Sequence, residues 1–170
     1  MDKGVTEGLI QELKDGSKFD LLMGHIIGID SAGHTYHDSH PEIERKLIDT
    51  EHLIQEVMEL MDDQTTLVVF GDHGMTESGN HGGGSENEMR TVLFAYQKTA
   101  FPMAEHYWNF QESFEDINKT MKQVDLAAIL SVLLDTAFPY SNLGVPHPIF
   151  VQTDDLVKVN NLYLKNLEQI

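Results

Sequence analysis

Phe19-Asp-Leu-Leu-Met-Gly-His-Ile-Ile-Gly-Ile29 is apolar and shows no helical period, and Thr65-Thr-Leu-Val-Val-Phe70 is a second, β-branched and aromatic run. Both read as strands buried on two faces. Between them, Pro41 to Met61 reads as a helix, because Ile43, Leu47, Ile54, Val57, Met58 and Met61 fall on one face. Pro41 suits a first helical turn, Ser39 followed by Glu42 suggests a capping box, and Asp62-Asp63 breaks the pattern. Strand, long helix and strand make a βαβ unit, whose crossover favours parallel pairing. The expected fold class is therefore α/β, a mainly parallel sheet with flanking helices.

Outward from this unit the signals are shorter. Asp30-Ser-Ala-Gly-His34 ends the first strand sharply and opens a polar loop up to His40. Thr91 to Tyr96 reads as a third strand, reached through the glycine-rich segment Gly79 to Gly84. Met1 to Ser17 suggests a short helix or loop around Leu9, Ile10 and Leu13. Lys98 to Met121 is irregular and contains Trp108. Gln123 to Asp135 reads as a buried helix, Pro139 to Pro148 as a loop, and Leu156 to Leu167 as a short closing helix. No internal repeat or low-complexity tract is present.

With 170 residues, the chain is one domain or a piece of a larger one. Its 41% apolar and 23% charged residues are those of a globular protein. A formal charge of -17 repels phosphate backbones and anionic lipid unless cations intervene, which argues against a nucleic-acid partner. Apolar runs fall short of the ~20 residues that cross a bilayer, and no signal segment opens the chain. The absence of cysteine removes disulfides and thiolate metal sites but assigns no compartment. Asn118-Lys-Thr120 is a glycosylation sequon.

Seven of the nine histidines lie between His25 and His81. Imidazole and carboxylate are the usual zinc ligands where thiolate is absent. Asp30 and His34 follow the first expected strand, and Asp72 and His73 follow the second. Parallel strands would bring both acid–histidine pairs to one sheet edge, where open α/β sheets place their ligand sites. The glycines around Asn80-His81-Gly82-Gly83 would let a loop return His81 to the same edge. Asp30, His34, Asp72, His73 and His81 are too many ligands for one tetrahedral ion and too few for two closed sites, which points to an open two-metal site suited to phosphoryl chemistry. Alone, an Asp-x-x-x-His after a strand is ordinarily a turn with a capping aspartate. His25 reads as a satisfied core residue or as support behind a ligand. His37 and His40 are candidates to line a substrate loop, His52 is expected on a solvated helix face, and His106 and His147 carry no pattern.

In their order, Gly28-Ile-Asp-Ser-Ala-Gly-His34, then Gly71-Asp-His-Gly-Met75, then His81-Gly-Gly-x-Ser85-Glu86-x-Glu88 resemble the alkaline phosphatase superfamily. Within it they look most like the ethanolamine phosphate transferases of glycosylphosphatidylinositol (GPI) anchor assembly, with the third transferase of that pathway as the nearest likeness. Val124-Asp-Leu126 and Leu143-Gly144 also match. The resemblance covers roughly residues 19 to 145. It implies two divalent metal ions, taken to be zinc, with Asp30, His34 and His81 on one and Asp72 and His73 on the other. An aspartate and a threonine nucleophile complete the family's second site, and no stretch of this chain resembles the segment that carries them.

The resemblance also implies transfer of phosphoethanolamine from phosphatidylethanolamine to a mannose of the GPI precursor, at the lumenal face of the endoplasmic reticulum membrane. Residues 1–150 would then be a partial catalytic domain, and 151–170 a helical segment leading toward a membrane region outside the chain, where membrane contact and any partner subunit would lie. On this view the isolated chain is inactive. A phosphodiesterase or phosphatase of the same superfamily, and a noncatalytic metal-binding domain, are the alternatives.

Overall fold

The computed structural model describes residues 2–16, 18–99 and 120–168. They fall into two units, Met1–Lys98 and Thr99–Ile170.

In the first unit, helix α1 (Lys3–Asp15) ends at Gly16, whose φ of 62° is the left-handed stop that favours glycine. The segment expected as the first strand follows. It takes no regular structure and pairs with no described strand, and Phe19, Leu21 and Met23 remain exposed. A strand exists through its ladder, so an apolar run without a neighbour to take its N–H and C=O groups stays irregular. Gly24 in this segment lies against α1, where a Cβ would meet Leu9 at 2.5 Å.

The next departure from expectation positions the site. Gly28–Tyr36 is not a loop but helix α2. Its N-terminus is held from far away in sequence: Asp2 Oδ1 accepts from the Ile27 N–H at 3.2 Å, and Asp2 Oδ2 lies 3.5 Å from Lys46 Nζ. A carboxylate there complements the positive end of the helix. Ala32 and Gly33 are buried, and α2 packs on helix α3 (Pro41–Leu60), which also packs on α1. Pro41 occupies the first turn of α3 as expected, but the cap is His40, whose Nδ1 accepts from the Glu42 N–H at 3.1 Å. Ser39 donates instead to Asp38.

Strands β1 (Leu67–Phe70) and β2 (Leu93–Tyr96) pair antiparallel, Leu67 opposite Tyr96 and Phe70 opposite Leu93. This is the one sheet among the described residues, so the parallel pairing expected between 19–29 and 65–70 is not formed. The third expected strand becomes the partner of the second, and the long excursion between them carries Asp72, His73, His81 and the short helix α4 (Glu86–Met89).

The second unit contains α5 (Asp125–Leu133), a 3-10 turn (Pro148–Phe150) and α6 (Leu156–Glu168), around buried Ala128, Ile129, Phe150, Val151 and Val159. The two short matches quoted from this region touch each other. Asp125 Oδ1 accepts from the Val145 N–H at 2.9 Å, and a Cβ on Gly144 would meet the Val124 carbonyl at 2.1 Å. Asn142 and Asn166 both donate to the Gly144 carbonyl, tying this loop to α6. Trp108, His106 and the first two positions of the sequon lie outside the described residues. Among the described residues, no helix is long and apolar enough to cross a membrane.

Candidate metal centre

Because Gly28–Tyr36 is helical, Asp30 and His34 lie one turn apart on one face. His34 Nε2 is 3.5 Å from Asp30 Oδ1. Asp30 stands in the first turn, where the helix dipole favours a carboxylate, and His34 in the last.

The Asp72-His73-Gly74 turn leaves the end of β1. The His73 N–H donates to Asp72 Oδ1 at 3.1 Å, and His73 Nδ1 lies 3.0 Å from the Gly74 carbonyl. A carbonyl only accepts, so Nδ1 carries the proton and Nε2 keeps its lone pair, 3.6 Å from Asp72 Oδ2. Gly74 is seated on α4: its N–H donates to the Glu88 carbonyl at 2.8 Å, and a Cβ would meet the Asn87 and Arg90 carbonyl oxygens at 2.0 and 2.3 Å.

His81 arrives on a closed turn, Thr76–Asn80. The Thr76 N–H donates to the Asn80 carbonyl at 2.9 Å, and Thr76 Oγ1 accepts from the Asn80 N–H at 3.0 Å. At its tip Gly79, with φ 78°, presses on α2 so closely that a Cβ would lie 2.2 Å from the Gly33 carbonyl oxygen. That approach delivers His81 Nε2 to 3.5 Å from the same Asp30 Oδ1. The His81 ring stands 4.9 Å from that of His34 and is stacked 3.9 Å from that of His73.

The structure thus brings Asp30, His34, His73 and His81 into one cluster, with Asp72 on its flank and 64% exposed. Donor atoms of Asp30, His73 and His81 lie within 4.8 Å of one another. Asp30 Oδ1 is buried and makes no hydrogen bond, although two imidazole nitrogens stand 3.5 Å away. That spacing exceeds a good N–H···O bond. It is close to the ~3.3 Å that separates neighbouring ligands of a tetrahedral ion with bonds of about 2.0–2.1 Å. An orphaned oxygen between two imidazoles therefore fits a divalent cation. The side chains of His34, His73 and His81 are 43, 31 and 32% exposed, so one side of the cluster faces solvent.

Other histidines take different places. His25 is exposed in the unpaired segment, which corrects its reading as a core residue. His40 caps α3 with its ring stacked on Tyr36 at 4.3 Å, His52 is exposed on α3, and His147 caps the 3-10 turn.

Three residues position the cluster in ways the sequence reading does not assign: Asp2 is not singled out there, and Gly79 and Glu88 are quoted only as members of a segment or motif. Asp2 and Gly79 act across 25 and 46 residues (Asp2 to Ile27, Gly33 to Gly79) and leave no local signal. Glu88 did leave one, since Ser85-x-x-Glu88 is a capping box. Its carboxylate accepts from the Gly83 and Ser85 N–H groups at 2.9 and 3.1 Å and from the Ser85 hydroxyl, closing the loop that follows His81. The Ser85 hydroxyl, then the two backbone donors, hold the Glu88 carboxyl below its ordinary value of 4.5. A carboxyl depressed on folding stabilises above its unfolded value, and that contribution disappears as the pH falls through the folded value. Thermal unfolding of the chain and of Glu88→Gln should therefore differ at neutral pH and converge below pH 4.5.

Comparison with known proteins gives the class. The profile of the type I phosphodiesterase / nucleotide pyrophosphatase family matches residues 1–92, just over half of the chain. The chain belongs to that family. It is also similar to proteins with a narrower name. GPI ethanolamine phosphate transferase 3 of Schizosaccharomyces pombe is 36% identical over 162 residues, covering 91% of this chain and 16% of the relative. The mouse protein named GPI ethanolamine phosphate transferase 3, catalytic subunit, is 38% identical over 85% of this chain and 12% of its own length. GPI ethanolamine phosphate transferase 2 of Yarrowia lipolytica is 31% identical over 85% of the chain and 17% of the relative. The chain thus spans less than a fifth of the length of these relatives. No solved structure matches it.

Proposed function

We propose that this chain carries the metal-binding part of a GPI ethanolamine phosphate transferase, which would move phosphoethanolamine from phosphatidylethanolamine to a mannose of the GPI-anchor precursor at the lumenal face of the endoplasmic reticulum membrane. The observation that carries this reading is the buried, unbonded Asp30 Oδ1 between His34 and His81, in a chain similar over most of its length to transferases of that name. In this reading Asp30, His34 and His81 hold one zinc, and Asp72 and His73 hold the second. The aspartate and threonine nucleophile that complete the family's second site, the membrane contact and any partner subunit belong to polypeptide outside these 170 residues. Residues 1–150 contribute to the catalytic domain, and 151–170 lead toward the membrane region.

When bound, the two cations supply the positive charge that draws in a phosphodiester and offsets the charge gathering on its oxygens during transfer. The chain's formal charge of -17 otherwise disfavours the approach of the phosphodiester group. The chain's own residues prepare the place. Donation to the Gly74 carbonyl places the His73 proton on Nδ1 and leaves the Nε2 lone pair for a cation. Asp2 and the α2 dipole steady the helix that presents Asp30. Beside His73, Gly74, Met75, Glu86, Asn87 and Arg90 line a shallow, open depression in which Arg90 pairs with Glu86 at 2.8 Å.

The purified chain titrated with zinc is expected to take up one equivalent at Asp30, His34 and His81 and a second, more weakly, at Asp72 and His73, and His34→Ala is expected to lose the first. Turnover of a phosphoethanolamine diester by the chain alone would overturn the assignment of the nucleophile to a threonine outside it. Given the family's description, a phosphodiesterase is the second reading. It is favoured if polypeptide that includes this chain and the nucleophile segment releases the group to water as fast with a mannose acceptor as without one.

A further inference from the structure

His37 ends α2 with φ 64° and ψ 175°, a combination that is essentially reserved for glycine. Such a conformation persists where the surroundings over-determine it, and here they do. The His37 N–H donates to the Gly33 carbonyl at 2.9 Å, and its Nδ1 lies 2.7 Å from the Ser78 carbonyl oxygen. A carbonyl cannot donate, so Nδ1–H does. Ser78 belongs to the Thr76–Asn80 turn, the turn whose Gly79 presses on Gly33 and whose exit is His81. A longer backbone bond, Asp38 N–H to the Glu77 carbonyl at 3.5 Å, runs alongside.

The turn therefore meets the end of α2 along a seam, and the imidazole of His37 bonds across it. His34 lies three residues before the bonded histidine, and His81 three residues after the bonded serine. A change in this bond moves the two cluster histidines relative to each other. We propose that His37 is a positioning residue: its imidazole latches the Thr76–Asn80 turn onto α2 and so sets His81 beside Asp30 and His34. The consequence for metal rests on the proposed metal centre; the latch itself does not.

Three chains separate the side-chain bond from the backbone strain. His37→Gly relaxes the backbone and removes the donor, whereas His37→Asn keeps an N–H at nearly the place of Nδ1. Without added metal, hydrogen–deuterium exchange of amides 76–82 is expected to quicken about tenfold in His37→Gly and to stay near that of the original chain in His37→Asn. Zinc titration should follow the same order, with affinity about tenfold weaker in His37→Gly only. Exchange and zinc affinity unchanged in His37→Gly would overturn the proposal, and so would an asparagine chain as loose as the glycine chain. If the original chain binds no zinc while His37→Gly still loosens the turn, the latch stands and the metal reading fails.

Discussion

Replacing Asp30 with alanine is expected to weaken zinc binding by more than about 100-fold, beyond the 10–100-fold typical of losing a group that only supports a ligand. Asp30 Oδ1 is the one atom that both His34 and His81 approach at 3.5 Å, so its removal leaves two imidazoles without a common centre. The metal-free chain should respond quite differently. Its Asp30 Oδ1 already lacks a hydrogen bond, so alanine removes a buried polar atom and loses only the weak favour of the α2 dipole and of two imidazoles 3.5 Å away. Stability without metal should therefore change by less than about 1 kcal/mol. Isothermal titration with zinc and thermal unfolding in chelator measure the two effects separately. A chain that loses both together would show Asp30 to be a structural residue of α2.

Gly79→Ala should be strongly disruptive, because it combines a positive φ with a backbone clash beside the cluster. The alanine would have to adopt a φ of 78° and place its Cβ 2.2 Å from the Gly33 carbonyl oxygen and 2.9 Å from the Gly33 carbonyl carbon. Both neighbours are backbone, so neither can swing aside, and either the turn retreats from α2 or the unit loses about 2–4 kcal/mol. His81 leaves Asp30 in both cases, and zinc affinity goes with it. Gly82→Ala is the control. Its φ of 91° is equally foreign to alanine, but nothing lies within 4 Å of the added Cβ. It should cost only the backbone strain, about 1–2 kcal/mol. Equal losses of stability and zinc binding in the two variants would mean that close approach to Gly33 is not what seats His81.

Where local pattern and final structure agree, the agreement has a local cause. The helix from Pro41 is written in its apolar period and its first-turn proline; the helix forms, but Leu47 of the expected apolar face is exposed and Leu53, outside that face, is the residue α3 buries. The β-branched run before Gly71 forms β1, and the helices expected near residues 125 and 156 form within a few residues of their expected ends. The errors lie where a partner decides. Phe19 to Ile29 has the composition of a buried strand, but strand formation requires a neighbour, and none of the described residues provides one. Asp30 to His34 carries a glycine and short polar residues that suit a turn. Packing of α2 on α3, burial of Ala32 and Gly33, and Asp2 at the N-terminus make it helix instead. His37 shows the same limit: no sequence rule places a histidine in a glycine conformation, because the Ser78 carbonyl that holds it there lies 41 residues away.

By itself, the sequence marked out the candidate groups: aspartates and histidines without thiolates, set beside glycines, on an acidic chain. Residue type and spacing fix donor chemistry, and these are local properties. Only the tertiary structure decided how the groups meet. Asp30 and His34 share a face because their segment is helical, not because it follows a strand, and His81 reaches them because Gly79 has no side chain to keep two backbones apart. Such contacts depend on atoms distant in sequence, and they settle the distances on which metal binding turns.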